Sequence, residues 1–106
     1  MTKEQAITYL TIEGYTTESR PSLLAENTTS LYKRLDGSDC QCNGRPPAVH
    51  VSIYQHHKHL SMEIGIKGEA INEQWVDFKY YALPVDEVEN IGTYEYLLSK
   101  IWEVVN

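Results

Sequence analysis

The sequence predicts an α+β fold. A three-stranded antiparallel β-meander is expected over about 48–55, 59–67 and 75–83, with N-terminal helices and a C-terminal amphipathic helix packed on one face. Three observations carry this expectation. Apolar residues alternate with polar ones from Ala48 to Leu83, as they do in half-buried strands. Tyr94, Leu97, Leu98, Ile101, Trp102 and Val105 recur with the helical period. Capping and breaker residues punctuate the chain before the first strand.

The meander is the centre of the chain. Val49, Val51 and Ile53 share one parity, as do Leu60, Met62, Ile64 and Ile66, and then Val76, Phe78, Tyr80 and Ala82. A tight turn at His57-Lys58 pairs Ile53 with Met62, Val51 with Ile64 and Val49 with Ile66. A slip by one residue would put each set on the wrong face, so the pattern selects this register. The connection from Gly68 to Gln74 is expected to pair Ile66 with Val76, Ile64 with Phe78 and Met62 with Tyr80.

The same arithmetic defines an opposite face. It carries His50, Ser52, Tyr54 and His56, then His59, Ser61, Glu63, Gly65 and Lys67, then Trp75, Asp77, Lys79, Tyr81 and Leu83. Glu63 is expected opposite Lys79, His56 opposite His59, and His50, Gly65 and Asp77 in one row across the strands.

Towards the N-terminus, Thr2 and Gln5 form a capping box that opens a first helix, with Gly14 closing it. Tyr15 to Arg20 is an extended, hydroxyl-rich connector. Pro21 favours a helix start near Ser22. Leu23, Leu24, Leu31 and Leu35 fit one helical face, although Asn27 to Ser30 is poor helix material and divides the segment. Asp36 to Pro47 is a long loop dense in Gly, Asn, Ser and Pro. After the meander Pro84 stops the third strand, Asp86 and Glu89 form a second capping signal, and Thr93 caps the last helix. That helix is expected on the Val51/Ile64/Phe78 face, with Trp102 and Tyr80 in or near the core.

Length and charge bound the function. A chain of 106 residues is read as one domain able to bury a core without staples. A net charge of −6 argues against a broad nucleic-acid footprint and against anionic membranes, and permits a basic protein partner. No apolar run approaches the roughly 20 residues of a membrane-spanning helix, and the first residues lack the apolar core of a signal peptide. A cytoplasmic setting with reduced thiols is the expectation.

No motif carries chemistry by itself. Cys40, Cys42, His56 and His59 supply zinc-type donors, but C-x-C is tighter than the usual spacing. The loop joins the open end of the hairpin and the histidines its turn end, about 20 Å away along a strand. A strained C-x-C disulfide lacks a βαβ context. His50 and Asp77 around Gly65 form an acid–base pair on a flat face that excludes little water. No cofactor is expected. The opposite face suits contact with protein better. Tyr54, Trp75 and Tyr81 stand among His50, Glu63, Asp77 and Lys79, which is aromatic anchors amid polar groups. The expected role is a small accessory, inhibitor or immunity-type interaction module, binding itself as a homodimer or another protein; the alternative is a metal- or small-ligand-binding protein using Cys40/Cys42 or the His56–His59 turn, and a small acid–base enzyme on the sheet face comes third.

Overall fold

The computed structural model describes residues 1–18, 28–35, 47–56, 58–70 and 73–105. In chain order these form α1 (Lys3–Ile12), β1 (Thr16–Thr17), β2 (Thr28–Arg34), β3 (Ala48–Gln55), β4 (Leu60–Glu69), β5 (Trp75–Pro84), a 3-10 helix (Val85–Asn90) and α2 (Ile91–Val105). The α+β class is as expected, but the sheet has five strands, all antiparallel, in the order β1-β2-β3-β4-β5. Cys40 and Cys42 lie outside the described residues, as do His57 and most of the Asp36–Pro47 loop.

The β3–β4 hairpin has the expected register. Val49 pairs with Ile66, Val51 with Ile64 and Ile53 with Met62. All six are buried, because alternation on both strands leaves one solution in which apolar meets apolar. His56 N–H donates to the His59 carbonyl at 2.9 Å, closing the hairpin.

The two added strands correct the expectation before the meander. Thr28–Arg34 was expected within a helix and is β2, paired along β3 from Thr28↔Tyr54 to Arg34↔Ala48. Residues 22–27 of that expected helix lie outside the described residues. Leu31 and Leu35 fit a helical face, yet Thr28-Thr29-Ser30-Leu31-Tyr32 also alternates, and β-branched threonines favour the strand. Pairing with β3 decides it. The pairing satisfies the backbone groups of β3 that would otherwise lie unpaired, and it buries Leu31 opposite Val51. Of the extended connector, Thr16 and Thr17 pair with Tyr32 and Leu31.

The β4–β5 register differs from the expectation by two residues. Ile66 pairs with Phe78 rather than Val76, and Ile64 with Tyr80 rather than Phe78. A shift by two leaves every side chain on its expected face, so alternation alone does not select between these registers. The turn is tighter than expected, with Ala70 N–H donating to the Gln74 carbonyl at 2.9 Å, so β4 continues to Glu69. A β-bulge then corrects the end of β5. Met62 pairs with Leu83, not Tyr80, so Tyr81 and Ala82 together face the single residue Glu63. Ala82 has φ 55, the left-handed conformation that accommodates the extra residue. The bulge reverses parity, bringing Leu83 from its expected outer position onto the core and leaving Ala82 exposed.

The helices cover the Val51/Ile64 face. Thr2 N–H donates to Gln5 Oε1 at 2.8 Å and Gln5 N–H to Thr2 Oγ1 at 3.1 Å, completing the expected capping box of α1. Ala6 and Leu10 of α1 join the core. The Asp86/Glu89 signal opens no capped α-helix. The 3-10 helix follows Pro84 directly, buries Val85 and Val88, and runs into α2 at Ile91, upstream of the expected Thr93 cap. Ile91 and Leu98 of α2 are buried, and Tyr94, Ile101 and Trp102 lie against the core together with Tyr80. Leu97 and Val105, expected on the buried stripe, are each 42% exposed. The helix seats against β4, where Trp102 covers Gly68; a Cβ on Gly68 would lie 2.9 Å from the indole. Beyond it, Phe78 on β5 is 38% exposed although its parity points it to the helical side.

A polar clasp fixes α2 to the β1–β2 end of the same face. Tyr15 OH donates to Glu95 Oε1 at 2.9 Å, and Lys33 Nζ reaches both Glu95 oxygens at 3.2 and 3.4 Å. Burial, and then the Glu95 carboxylate, push the Tyr15 phenol pKa up, so it stays a donor. No helix among the described residues is long and apolar enough to cross a membrane.

Candidate interaction surface

Alternation along β2 to β5 places a second set of side chains on the face turned away from α1 and α2. The rows across it follow from the pairing. Tyr32, His50, Gly65 and Lys79 form one row; Ser30, Ser52 and Glu63 form the next, ending at the bulge; Thr28, Tyr54 and Ser61 form the third. Arg34, Ala48, Lys67 and Asp77 lie on the far side of the first row.

This geometry places each residue singled out from the sequence. His50 stands opposite Gly65 as expected, but Lys79 rather than Asp77 completes the row. The His50–Gly65–Asp77 row is therefore not assembled, and Asp77 pairs with Lys67 instead. Lys79 is one pair removed from its expected partner, and its Nζ still reaches Glu63 Oε1 at 3.8 Å and Asp77 Oδ2 at 3.9 Å. At partial exposure such pairs contribute about 0–1 kcal/mol. They fix orientation more than stability. Tyr54 is half-buried; burial first, and then Glu63, raise its phenol pKa. Trp75 is 47% and Tyr81 70% exposed. Trp75 flanks the turn into β5 opposite Glu69, and Tyr81 sits in the bulge.

His56 and His59 close the hairpin as a stacked pair, with ring centroids 4.6 Å apart, and His56 Nε2 lies 2.7 Å from Ser61 Oγ. Tyr54 stacks beyond His56 at 6.4 Å. Among the described residues no group of three or more His, Cys, Asp or Glu side chains is arranged to hold a metal ion. An open groove lies near this end, lined by Thr2, Lys3, Glu4, Lys58, His59 and Asp86 among others. Its lining carries both acidic and basic groups, and the Met1 amino group meets Asp86 Oδ1 there at 3.3 Å.

Two residues of this face, Tyr32 and the buried Ser30, lie on β2, which the sequence pattern assigns to a helix. Tyr32 stacks on His50 with centroids 6.0 Å apart, and Ser30 Oγ lies 3.0 Å from Ser52 Oγ. The signal that points to them is the alternation of Ser30 and Tyr32 about Leu31.

His50 sits under Tyr32 beside Lys67. Burial, and then the Lys67 charge, lower its pKa from 6.5 to about 4, against weaker opposing effects of Glu18 and Asp77. The folded protein therefore holds His50 neutral at pH values where the unfolded chain protonates it. Its contribution is complete above pH 6.5 and declines as pH falls towards about 4. His50→Gln should remove this acid sensitivity. Urea unfolding at neutral and at mildly acid pH is expected to show wild type losing about 2 kcal/mol more than the variant across that interval. Equal losses would mean His50 is solvated and protonates freely in the folded state.

The fold and this surface define an α+β domain with helices on one side of a five-stranded antiparallel sheet and a polar, aromatic face on the other. No family model, curated protein or solved structure matches the chain significantly.

Proposed function

We propose that this protein is a non-catalytic interaction module, of accessory, inhibitor or immunity type, that binds protein through the outer face of its sheet. The observation that carries the reading is the exposure of Trp75 and Tyr81, 47% and 70%, beside the Lys79–Glu63–Asp77 charge cluster. Large aromatic rings left in water cost solvation free energy that a partner recovers, and they dominate binding energy where they are buried. The nearby charges orient a partner and set association rate more than affinity. A net charge of −6 favours a basic partner.

Affinity capture from a lysate of the source organism, read by mass spectrometry, tests this with wild type beside Trp75→Ala/Tyr81→Ala. A specific protein retained by wild type and lost by the double variant is expected, with the variant's thermal unfolding within a few degrees of wild type. A partner held equally by both proteins would move the binding surface away from these aromatics.

A further inference from the structure

β5 is an edge strand, and among the described residues it pairs with β4 alone. Every second residue of an edge strand directs its N–H and C=O away from its neighbour, a template for one more strand. Edge strands are commonly guarded by bulges, prolines and lysines. Here the bulge at Tyr81/Ala82 and Pro84 guard the far end; Lys79 stands within the segment Trp75 to Tyr80 but is paired with Asp77 at 3.9 Å, and that segment pairs regularly with β4 up to the bulge.

The order of residues in that segment is self-complementary. Trp75-Val76-Asp77-Phe78-Lys79-Tyr80-Tyr81 reads, from its centre outward, as Phe78 flanked by an acid and a base, then Val76 and Tyr80, then Trp75 and Tyr81. We propose that β5 pairs antiparallel with β5 of a second copy of this chain, about a two-fold axis at Phe78. Asp77 of each copy then lies opposite Lys79 of the other, Val76 opposite Tyr80, and Trp75 opposite Tyr81. This builds on the interaction-module reading but uses the edge of the sheet where that reading uses its face.

Charge excludes the two adjacent registers. Centring the axis on Asp77 sets two carboxylates against each other, and centring it on Lys79 sets two ammonium groups together. Like charges directly opposite on paired strands are destabilising. Centring on Phe78 instead joins the two Asp77–Lys79 pairs, each 3.9 Å apart within its own chain, into an alternating four-charge cluster. It also keeps the helices of both copies on one side. The half-exposed Phe78 is then covered by its counterpart, and the two outer faces join into one continuous surface with Trp75 and Tyr81 along the seam. Such a surface presents two equivalent binding patches to a partner.

Sedimentation equilibrium over a micromolar concentration series tests the pairing in four proteins: wild type, Asp77→Lys, Lys79→Asp and the charge swap Asp77→Lys/Lys79→Asp. Wild type is expected to dimerise. Each single variant should raise the dissociation constant about 100-fold, because it creates like-charge pairs at two symmetric positions. The swap should restore the dimer. Restoration by a second substitution also answers the objection that a single variant has merely misfolded. A wild type that stays monomeric, a dimer indifferent to the single reversals, or a folded swap variant that stays monomeric would each overturn the pairing. The partner reading is judged separately: a monomeric wild type that still captures a partner through Trp75 and Tyr81 removes the edge pairing alone. A swap-restored dimer with no captured partner removes the partner reading alone.

Discussion

Gly65→Ala is expected to lower the free energy of unfolding by about 3 kcal/mol. Gly65 lies in the middle of β4, opposite His50 on one side and Lys79 on the other. A Cβ built there would lie 2.4 Å from the carbonyl oxygen of Phe78 and 3.3 Å from Lys79 Cα. Both are backbone atoms, so no rotamer change relieves the clash. β4 and β5 must move apart, and the pairs on either side, Ile64↔Tyr80 and Ile66↔Phe78, move with them. Ile64 and Ile66 are fully buried in the core, and Tyr80 packs against it. Ser61→Ala is the control on the same strand and face. Ser61 is half-buried and its hydroxyl bonds the exposed His56 ring, so its loss should cost less than about 1 kcal/mol. Urea unfolding of both variants reads the difference. A Gly65→Ala protein as stable as wild type would mean that β5 does not approach β4 this closely, and the register with its bulge would be wrong.

This position also shows where the sequence stops being informative. Gly65 was legible as a gap between side chains, because alternation put it on the outer face between His50 and β5. Its real constraint is backbone approach, which alternation does not encode. The β3–β4 pairing was legible because a tight turn and two fully alternating strands leave one apolar match. The β4–β5 pairing was not. The longer turn admits registers two residues apart with identical faces, and the bulge adds a parity change through Ala82, a residue with no sequence mark of a left-handed backbone. Leu83 was therefore put on the wrong face and Asp77 in the wrong row. β2 was lost to a coincidence: Leu31 and Leu35 are four apart, as on a helix, while the alternation about Leu31 is equally regular. Only the backbone groups of β3 resolve the tie, and those are a tertiary demand.

Trp75 and Tyr81 needed only their parity before the bulge, and both are exposed as expected. Tyr32 was hidden by the β2 error. Phe78 was assigned correctly to the helical side, but the sequence does not say that α2 seats over β4 and leaves the edge strand partly uncovered. The uncovered edge thus follows from helix placement rather than from strand pattern.

Helix placement is therefore the second point to press, and two adjacent residues test it. Leu97 and Leu98 both belong to the apolar stripe of α2, yet Leu98 is fully buried and Leu97 is 42% exposed. Leu98→Ala should cost about 3 kcal/mol, from lost burial and the cavity left between α2 and the sheet. Leu97→Ala should cost about 0.5 kcal/mol, the size usual for surface changes. Circular dichroism during urea unfolding measures both. The ratio fixes the rotation of the helix, since neighbouring residues point about 100° apart around its axis. Three independent contacts demand the same rotation: Glu95 on Lys33 and Tyr15, Tyr94 against Tyr80 at 5.6 Å, and Trp102 over Gly68. Equal costs at the two leucines would require a turned helix that breaks all three contacts.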